Sequence, residues 1–108
     1  MLVPYTFSIT HSGREITVAM INGYYPDSDC RCVLLLERYD GGVCSSVEWG
    51  NFSAELSVKA ECSGLAFDEF IANSENNGLI EQAVLARMIE HTGRSNPLGR
   101  ICRILVHQ

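Results

Sequence analysis

Residues 79–90, LIEQAVLARMIE, decide the fold that the sequence predicts. In a helix at about 100° per residue, their apolar side chains point almost all round the axis. The polar interruptions are Glu81, Gln82, Arg87 and Glu90. A helix with so wide an apolar surface is buried on more than one side. Because a small sheet covers only one side, we expect a second helix, a curled sheet or another subunit to cover the rest.

A shorter helix is predicted just before this one. Ser63 is a suitable N-cap, and Phe67, Phe70 and Ile71 follow at the i, i+3, i+4 spacing of one helical face. Residues 74–78, SENNG, separate the two helices. The sequence therefore predicts a C-terminal pair of helices.

Upstream of the helices, apolar and polar residues alternate in short runs, which is typical of strands with one buried face. In the clearest run, Phe52, Leu56 and Val58 alternate with polar residues. Gly50-Asn51 suits a tight hairpin turn just before that run, because glycine stands first. The predicted strands are residues 5–10, 15–21, 30–38, 43–49, 52–60 and, after the helices, 101–106.

These elements predict an α+β fold in a single domain over residues 1–108. A mostly antiparallel sheet of five to six strands, arranged as a meander, packs against the C-terminal pair of helices. The final strand returns to the same sheet.

The composition argues against several classes of function. The chain has 108 residues and a net charge of −5, from 13 acidic and 8 basic residues, so nucleic-acid binding is disfavoured. Its apolar runs are far shorter than the roughly 20 residues that cross a bilayer. The start, MLVPYT, has neither the basic nor the apolar region of a signal peptide. We therefore expect a cytoplasmic protein without a membrane partner, whose cysteines are reduced.

Two short motifs resemble metal sites but have simpler explanations. Cys30 and Cys32 share a strand face, yet the cysteines and histidines lack the spacing of structural zinc sites, which favours packed strand cysteines. Asp27 and Asp29 lie in a loop without the further oxygen ligands of a calcium loop, which favours turn formation. We predict no metal and no cofactor.

Catalytic motifs are missing from the sequence, including phosphate loops, nucleophile elbows and zinc-protease signatures. Cys62, just before the first predicted helix, is the cysteine best placed for activation, and a pair with His91 is conceivable. Such pairs are recognised by geometry and leave no sequence signature. We predict no catalytic residue, and the balance is against an enzyme.

The leading functional hypothesis is a small acidic protein-binding module of the inhibitor, immunity-protein or adaptor type. The size, the charge and the surplus apolar helix surface support it, and that surface also predicts a homodimer. Loop tyrosines are common binding anchors. The predicted interface residues are Tyr24, Tyr25, Leu85, Met88 and Ile89.

The alternative is a small-molecule-binding protein, or a small enzyme, with a pocket between the sheet and the helices. Trp49 and His91 are the predicted ligand-binding residues, with Tyr5, Tyr24 and Tyr25 as further lining.

Overall fold

The computed structural model describes residues 5–40, 47–59 and 64–106. This part of the chain is mostly β, so the α+β prediction with a C-terminal pair of helices is wrong. A 3-10 turn, Ser74–Asn76, leads into the one short α-helix of the described residues. The elements are β1 (Tyr5–His11), β2 (Arg14–Tyr24), β3 (Arg31–Asp40), β4 (Val47–Glu55), β5 (Glu69–Ile71), α1 (Asn77–Leu85), β6 (Ile89–Asn96) and β7 (Gly99–Ile104).

The first sheet is an antiparallel meander in the order β1-β2-β3-β4. Its first hairpin follows the predicted alternation, and its turn residues Ser12 and Gly13 both have positive φ. Two such residues form the turn whose twist matches a hairpin. Ile9, Val18 and Leu35 point from this sheet into the core.

The predicted turn at Gly50-Asn51 is wrong, because β4 runs through both residues while pairing with β3. A Cβ on Gly50 would overlap the carboxylate of Glu37, and the register shifts nearby, between Leu36 and Arg38. The glycine therefore permits a close approach at an irregular point of the sheet, which is another common use of glycine in a strand.

The predicted helix over residues 79–90 is also wrong in length, since α1 ends at Leu85. The N–H of Met88 donates to the carbonyl of Ala83, and the N–H of Arg87 donates to that of Val84. These two bonds form a Schellman motif, with Arg87 in the left-handed conformation (φ 60°) where glycine is usual. Residues beyond the motif begin β6. The predicted helix was therefore apolar on more than one face because its last residues belong to a strand.

A second sheet of three antiparallel strands has the order β5-β7-β6. The final strand therefore returns to this sheet and not to the meander. The predicted short helix is wrong, because Glu69–Ile71 form β5 and each of its residues is buried. A short apolar run buried on both faces has no periodicity that separates strand from helix. Ser63, its predicted cap, lies outside the described residues.

The core lies between the two sheets and α1. Beyond β4, the N–H of Val58 donates to Ile71 and the N–H of Asn73 donates to Leu56, which joins the sheets at one edge. The side-chain amide of Gln82 bonds both the N–H and the carbonyl of Thr10, which fastens α1 to β1. The fully buried side chains include Ile9, Val18, Met20, Leu35, Leu56, Phe70, Ile80, Ile89 and Ile104.

Candidate functional site

An open groove of about 590 Å³ lies where the loop between β2 and β3 meets the segment that leads into β5. Two exposed aromatic side chains contribute to its walls: Tyr24, 54% exposed, and Phe67, 70% exposed. Its lining is formed by Tyr24, Ser28, Asp29, Gly64, Leu65, Ala66, Phe67 and Glu69. Large aromatic side chains at a concave surface are unusual enough on a small protein to suggest binding.

The first wall of the groove is a compact loop. The N–H of Tyr25 donates to the carbonyl of Cys30 at 3.0 Å, and the N–H of Ser28 donates to the carbonyl of Tyr25 at 3.2 Å. The Ser28 hydroxyl accepts the N–H of Cys30 at 3.0 Å. Cys30 is also disulfide-bonded. The backbone that carries Ser28 and Asp29 is therefore held in place without a ligand.

Arg31 connects this wall to the opposite one. Its guanidinium carbon lies 4.4 Å from the centre of the Tyr24 ring. Its Nε donates to the carbonyl of Phe67 at 2.6 Å, and its Nη1 donates to Oδ1 of Asn22 at 3.2 Å. One side chain therefore links the Tyr24 ring to the backbone of Phe67.

Glu69, only 3% exposed, lines the buried side of the groove. Its Oε1 accepts the N–H of Ala66 at 2.8 Å, while its Oε2 is paired with Arg94 and lies 3.3 Å from Arg103. The Arg94 guanidinium, followed by the Ala66 N–H, holds the pKa of this carboxyl below its usual range despite its burial. The carboxylate is therefore charged and satisfied by the protein.

A second cluster joins three groups with familiar catalytic chemistry. Sγ of Cys102 lies 3.5 Å from Nδ1 of His91, and Nε2 of His91 lies 2.7 Å from Oε1 of Glu81. The cysteine and the histidine are direct partners across β7 and β6. A thiol, an imidazole and a carboxylate in this order are the groups of a cysteine-nucleophile triad.

The cluster lacks what a nucleophile requires. The Cys102 side chain is fully buried, and this burial raises the pKa of its thiol to about 11, so the thiolate is disfavoured. Both imidazole nitrogens of His91 face protein groups, and its hydrogen bond lowers the pKa of Glu81. The three side chains instead connect α1 to β6 and β7.

The Cys62–His91 pair that the sequence made conceivable lies partly outside the described residues, because Cys62 is not among them. Within those residues, no group of three or more histidine, cysteine, aspartate or glutamate side chains is arranged to hold a metal ion. The sequence reasoning missed the pairing of Cys102 with His91 because residues 86–90, beyond the end of α1, were assigned to the helix. Recognition of β6 as a strand would have placed His91 beside β7.

The predicted interface residues have different environments. Tyr24 is exposed on the groove, whereas Tyr25 is buried and its hydroxyl lies 2.8 Å from Oγ of Ser57. Leu85 is 84% exposed at the end of α1, Met88 is half-buried, and Ile89 is fully buried in the core. Their role in an interface stays a prediction.

His91, one of the two predicted ligand-binding residues, lines an open cavity of about 410 Å³ with Gly93, Arg94, Ser95, Arg100 and Ile101. Ligand binding there stays a prediction. His91 lies in the cluster above, and the side chain of Trp49 lies outside the described residues. The sequence reasoning missed Phe67 as a groove residue, because it placed this side chain on the apolar face of the predicted short helix. The acidic residues that follow Phe67, Asp68 and Glu69, do not indicate whether its aromatic ring is buried or exposed.

The expectation that all cysteines are reduced fails at Cys30, which is disulfide-bonded, whereas Cys32 and Cys102 are free. Burial, with the nearby charge of Glu55, raises the pKa of the Cys32 thiol. Disulfides persist in oxidising compartments. The cytoplasmic location stays a prediction, and the state of Cys30 argues against it.

No family model matches the chain, and it has no significant match to a curated protein or to a solved structure. Among the described residues, the helices lack the length and hydrophobicity required to cross a membrane.

Proposed function

We propose that the chain acts by binding another polypeptide, and that the groove between Tyr24 and Phe67 is the binding site. The observation that carries this proposal is the pair of exposed aromatic side chains on a preformed groove, where Arg31 links the Tyr24 ring to the backbone of Phe67. Aromatic residues are enriched among the side chains that dominate binding energy. A loop that is already ordered loses less conformational entropy on binding.

An enzymatic function has less support within the described residues. The cluster most similar to a catalytic site, Cys102–His91–Glu81, has a buried thiol with a raised pKa. The alternative of a ligand pocket between sheet and helices also has less support. Phe70, Ile80 and Ala83 occupy that space with close-packed side chains.

The proposal can be tested with a displayed library of random peptides, selected on the folded full-length chain with its Cys30 disulfide intact. Peptides selected on the wild type should bind the double variant Tyr24→Ala/Phe67→Ala more weakly. Loss of one hot-spot side chain costs about 2 kcal/mol, or about 30-fold in Kd. Leu98→Ala removes a comparably exposed side chain elsewhere, and should leave the Kd unchanged. Selected peptides that bind the double variant and the wild type equally would refute the proposal.

A second surface supports self-association, and we propose that a second copy of the chain covers it. Leu85 and Leu105 are exposed beside half-buried Val84, and Arg87 and Glu90 lie next to them in the same shallow depression. If Arg87 of one copy faces the partner's Glu90 across a twofold axis, symmetry forms the same pair a second time. A rim with both charges is therefore self-complementary.

Sedimentation velocity tests this arrangement. The wild type should sediment as a dimer and Leu85→Asp as a folded monomer with unchanged circular dichroism. Leu98→Asp, which adds the same charge at another exposed leucine, should remain dimeric. Met88→Asp is a poor test, because Met88 packs on the core and the variant should unfold. A monomeric wild type at high concentration would exclude the dimer and leave the groove proposal intact.

A further inference from the structure

We infer that the groove between Tyr24 and Phe67 receives a basic side chain, lysine or arginine, from the bound polypeptide. This inference rests on the proposed function and adds the chemistry of the partner. The lining combines two aromatic rings with the carboxylates of Asp29 and Glu69, and it includes no lysine, arginine or histidine among the described residues. Aromatic faces beside carboxylates are the surroundings in which ammonium and guanidinium groups bind.

The two carboxylates contribute differently. Both oxygens of Glu69 are already engaged, by the Ala66 N–H and by Arg94 and Arg103. Asp29 is exposed on the first wall and carries its charge at the groove itself. Asp29 is therefore the group that would pair with an incoming cation, while Glu69 shapes the floor.

The charges around the groove favour a cation even when the nearby arginines are counted. Arg103 lies between Asp68, Glu69 and Glu90, with distances of 3.8, 3.3 and 3.0 Å. The groove lining itself carries two carboxylates, Asp29 and Glu69, while Arg94 and Arg103 are paired with carboxylates and Arg31 donates to Asn22 and to the Phe67 carbonyl. The chain as a whole carries −5. A basic segment is therefore attracted both locally and at long range.

Arg31 shows how this site accepts a guanidinium group. It lies over one face of Tyr24 and donates to the Phe67 carbonyl. Tyr24 is still 54% exposed, so part of its ring is open to a ligand. The aliphatic stem of a lysine or arginine would pack along Tyr24 and Phe67 with its charged end at Asp29. Arg31 itself opposes a second cation, so the expected preference is moderate.

The test uses one peptide from the selection described above, made with lysine, arginine, leucine or glutamate at its most sensitive position. Kd is measured on the full-length chain at low and high salt. The lysine and arginine forms should bind about tenfold more tightly than the leucine form at low salt, and high salt should reduce this ratio. The glutamate form should bind most weakly.

Asp29→Asn should bring the ratio of the Kd values for the leucine and lysine peptides, both measured on this variant, close to one. Asp27→Asn is the matched control, since it removes the same charge from the same loop at a residue that does not line the groove. That variant should keep most of the preference.

Each other outcome has a distinct meaning. Equal binding of the lysine and leucine peptides, or tighter binding of the glutamate peptide, would overturn the inference about charge while the groove remained a binding site. Peptides insensitive to Tyr24→Ala/Phe67→Ala would instead overturn the proposed function on which the inference rests. An equal loss of preference in Asp27→Asn and Asp29→Asn would show that only the overall charge matters, and would refute the assigned role of Asp29.

Discussion

Replacing Ser57 with alanine should weaken the connection between the two sheets. Leu56 donates its N–H to the carbonyl of Val33, as the next residue of β4 would, but the Leu56 carbonyl accepts the N–H of Asn73 instead. The N–H of Val33 is thereby left without its expected backbone acceptor. The Ser57 hydroxyl takes that place at 2.9 Å, and it lies 2.8 Å from the hydroxyl of Tyr25.

The expected loss of stability follows from the two bonds. Ser57 and Val33 are both fully buried, so water cannot replace the lost acceptor. An unpaired buried N–H costs about 1–3 kcal/mol, and loss of the bond to Tyr25 costs about 0.5–1.5 kcal/mol. We expect Ser57→Ala to lower the free energy of unfolding by about 2–4 kcal/mol.

Urea unfolding followed by far-UV circular dichroism measures this change. Ser53→Ala, at an exposed position of β4, should cost less than about 0.5 kcal/mol. Tyr25→Phe removes the same bond from its other side, so the double variant should lose less than the sum of the single ones. A loss below about 1 kcal/mol for Ser57→Ala would show that its hydroxyl does not replace the backbone acceptor.

Three further variants or reactions test other parts of the structure. Arg87→Gly should raise the free energy of unfolding by about 0.5–1 kcal/mol, because glycine adopts the left-handed conformation without strain. Urea unfolding measures this change, and an unchanged or lower free energy of unfolding would contradict the Schellman assignment. Since the pKa of Glu69 is lowered on folding from 4.5, its stabilisation is complete above that pH and is lost as the pH falls through the folded value. Glu69→Gln should therefore be less stable than the wild type at neutral pH, and its free energy of unfolding should fall less steeply as the pH is lowered. If that free energy falls with pH as steeply as in the wild type, the ion pairs of Glu69 are refuted. Iodoacetamide should label half-buried Cys32 in the native protein before Cys102, and fast labelling of Cys102 would reopen the case for a nucleophile.

The strands of the first hairpin were predictable because their alternation is undisturbed. Phe7 and Ile9 alternate with polar residues in β1, as Ile16 and Val18 do in β2. In such strands one face meets the core and the other meets water, and the pattern records both. The Ser12-Gly13 turn adds the positive φ values that the hairpin requires.

The second sheet was not predictable in the same way. The end of α1 depends on Arg87 in a conformation that normally selects glycine, so the sequence reasoning wrongly continued the helix over residues 86–90. In the first sheet, Gly50 was assigned to a turn, because the close approach of Glu37 to this glycine leaves no trace in the local sequence. The first error comes from a local conformation that a residue other than glycine adopts, and the second comes from a tertiary contact that overrides local preference.

The candidate site was predicted in part. A tyrosine in a polar loop suggested an exposed anchor, and Tyr24 is exposed. Its partner Phe67 comes from a distant segment, and the bridge between them is Arg31, whose bond to the Phe67 carbonyl joins residues far apart in the chain. No pattern within one segment could indicate that juxtaposition.

The bonds from Gln82 to Thr10 have a consequence for whether the outer edge of the first sheet can pair with strands of other chains. β1 is an outer strand of its sheet, and such strands offer unpaired backbone groups to other chains. With one donor and one acceptor, the Gln82 amide imitates a single residue of a neighbouring strand. It therefore occupies the point at which a foreign strand would begin to pair at the Thr10 end. A side chain of α1 protects this edge without a proline or a charge in β1 itself, and Gln82→Ala should expose it to fibril formation.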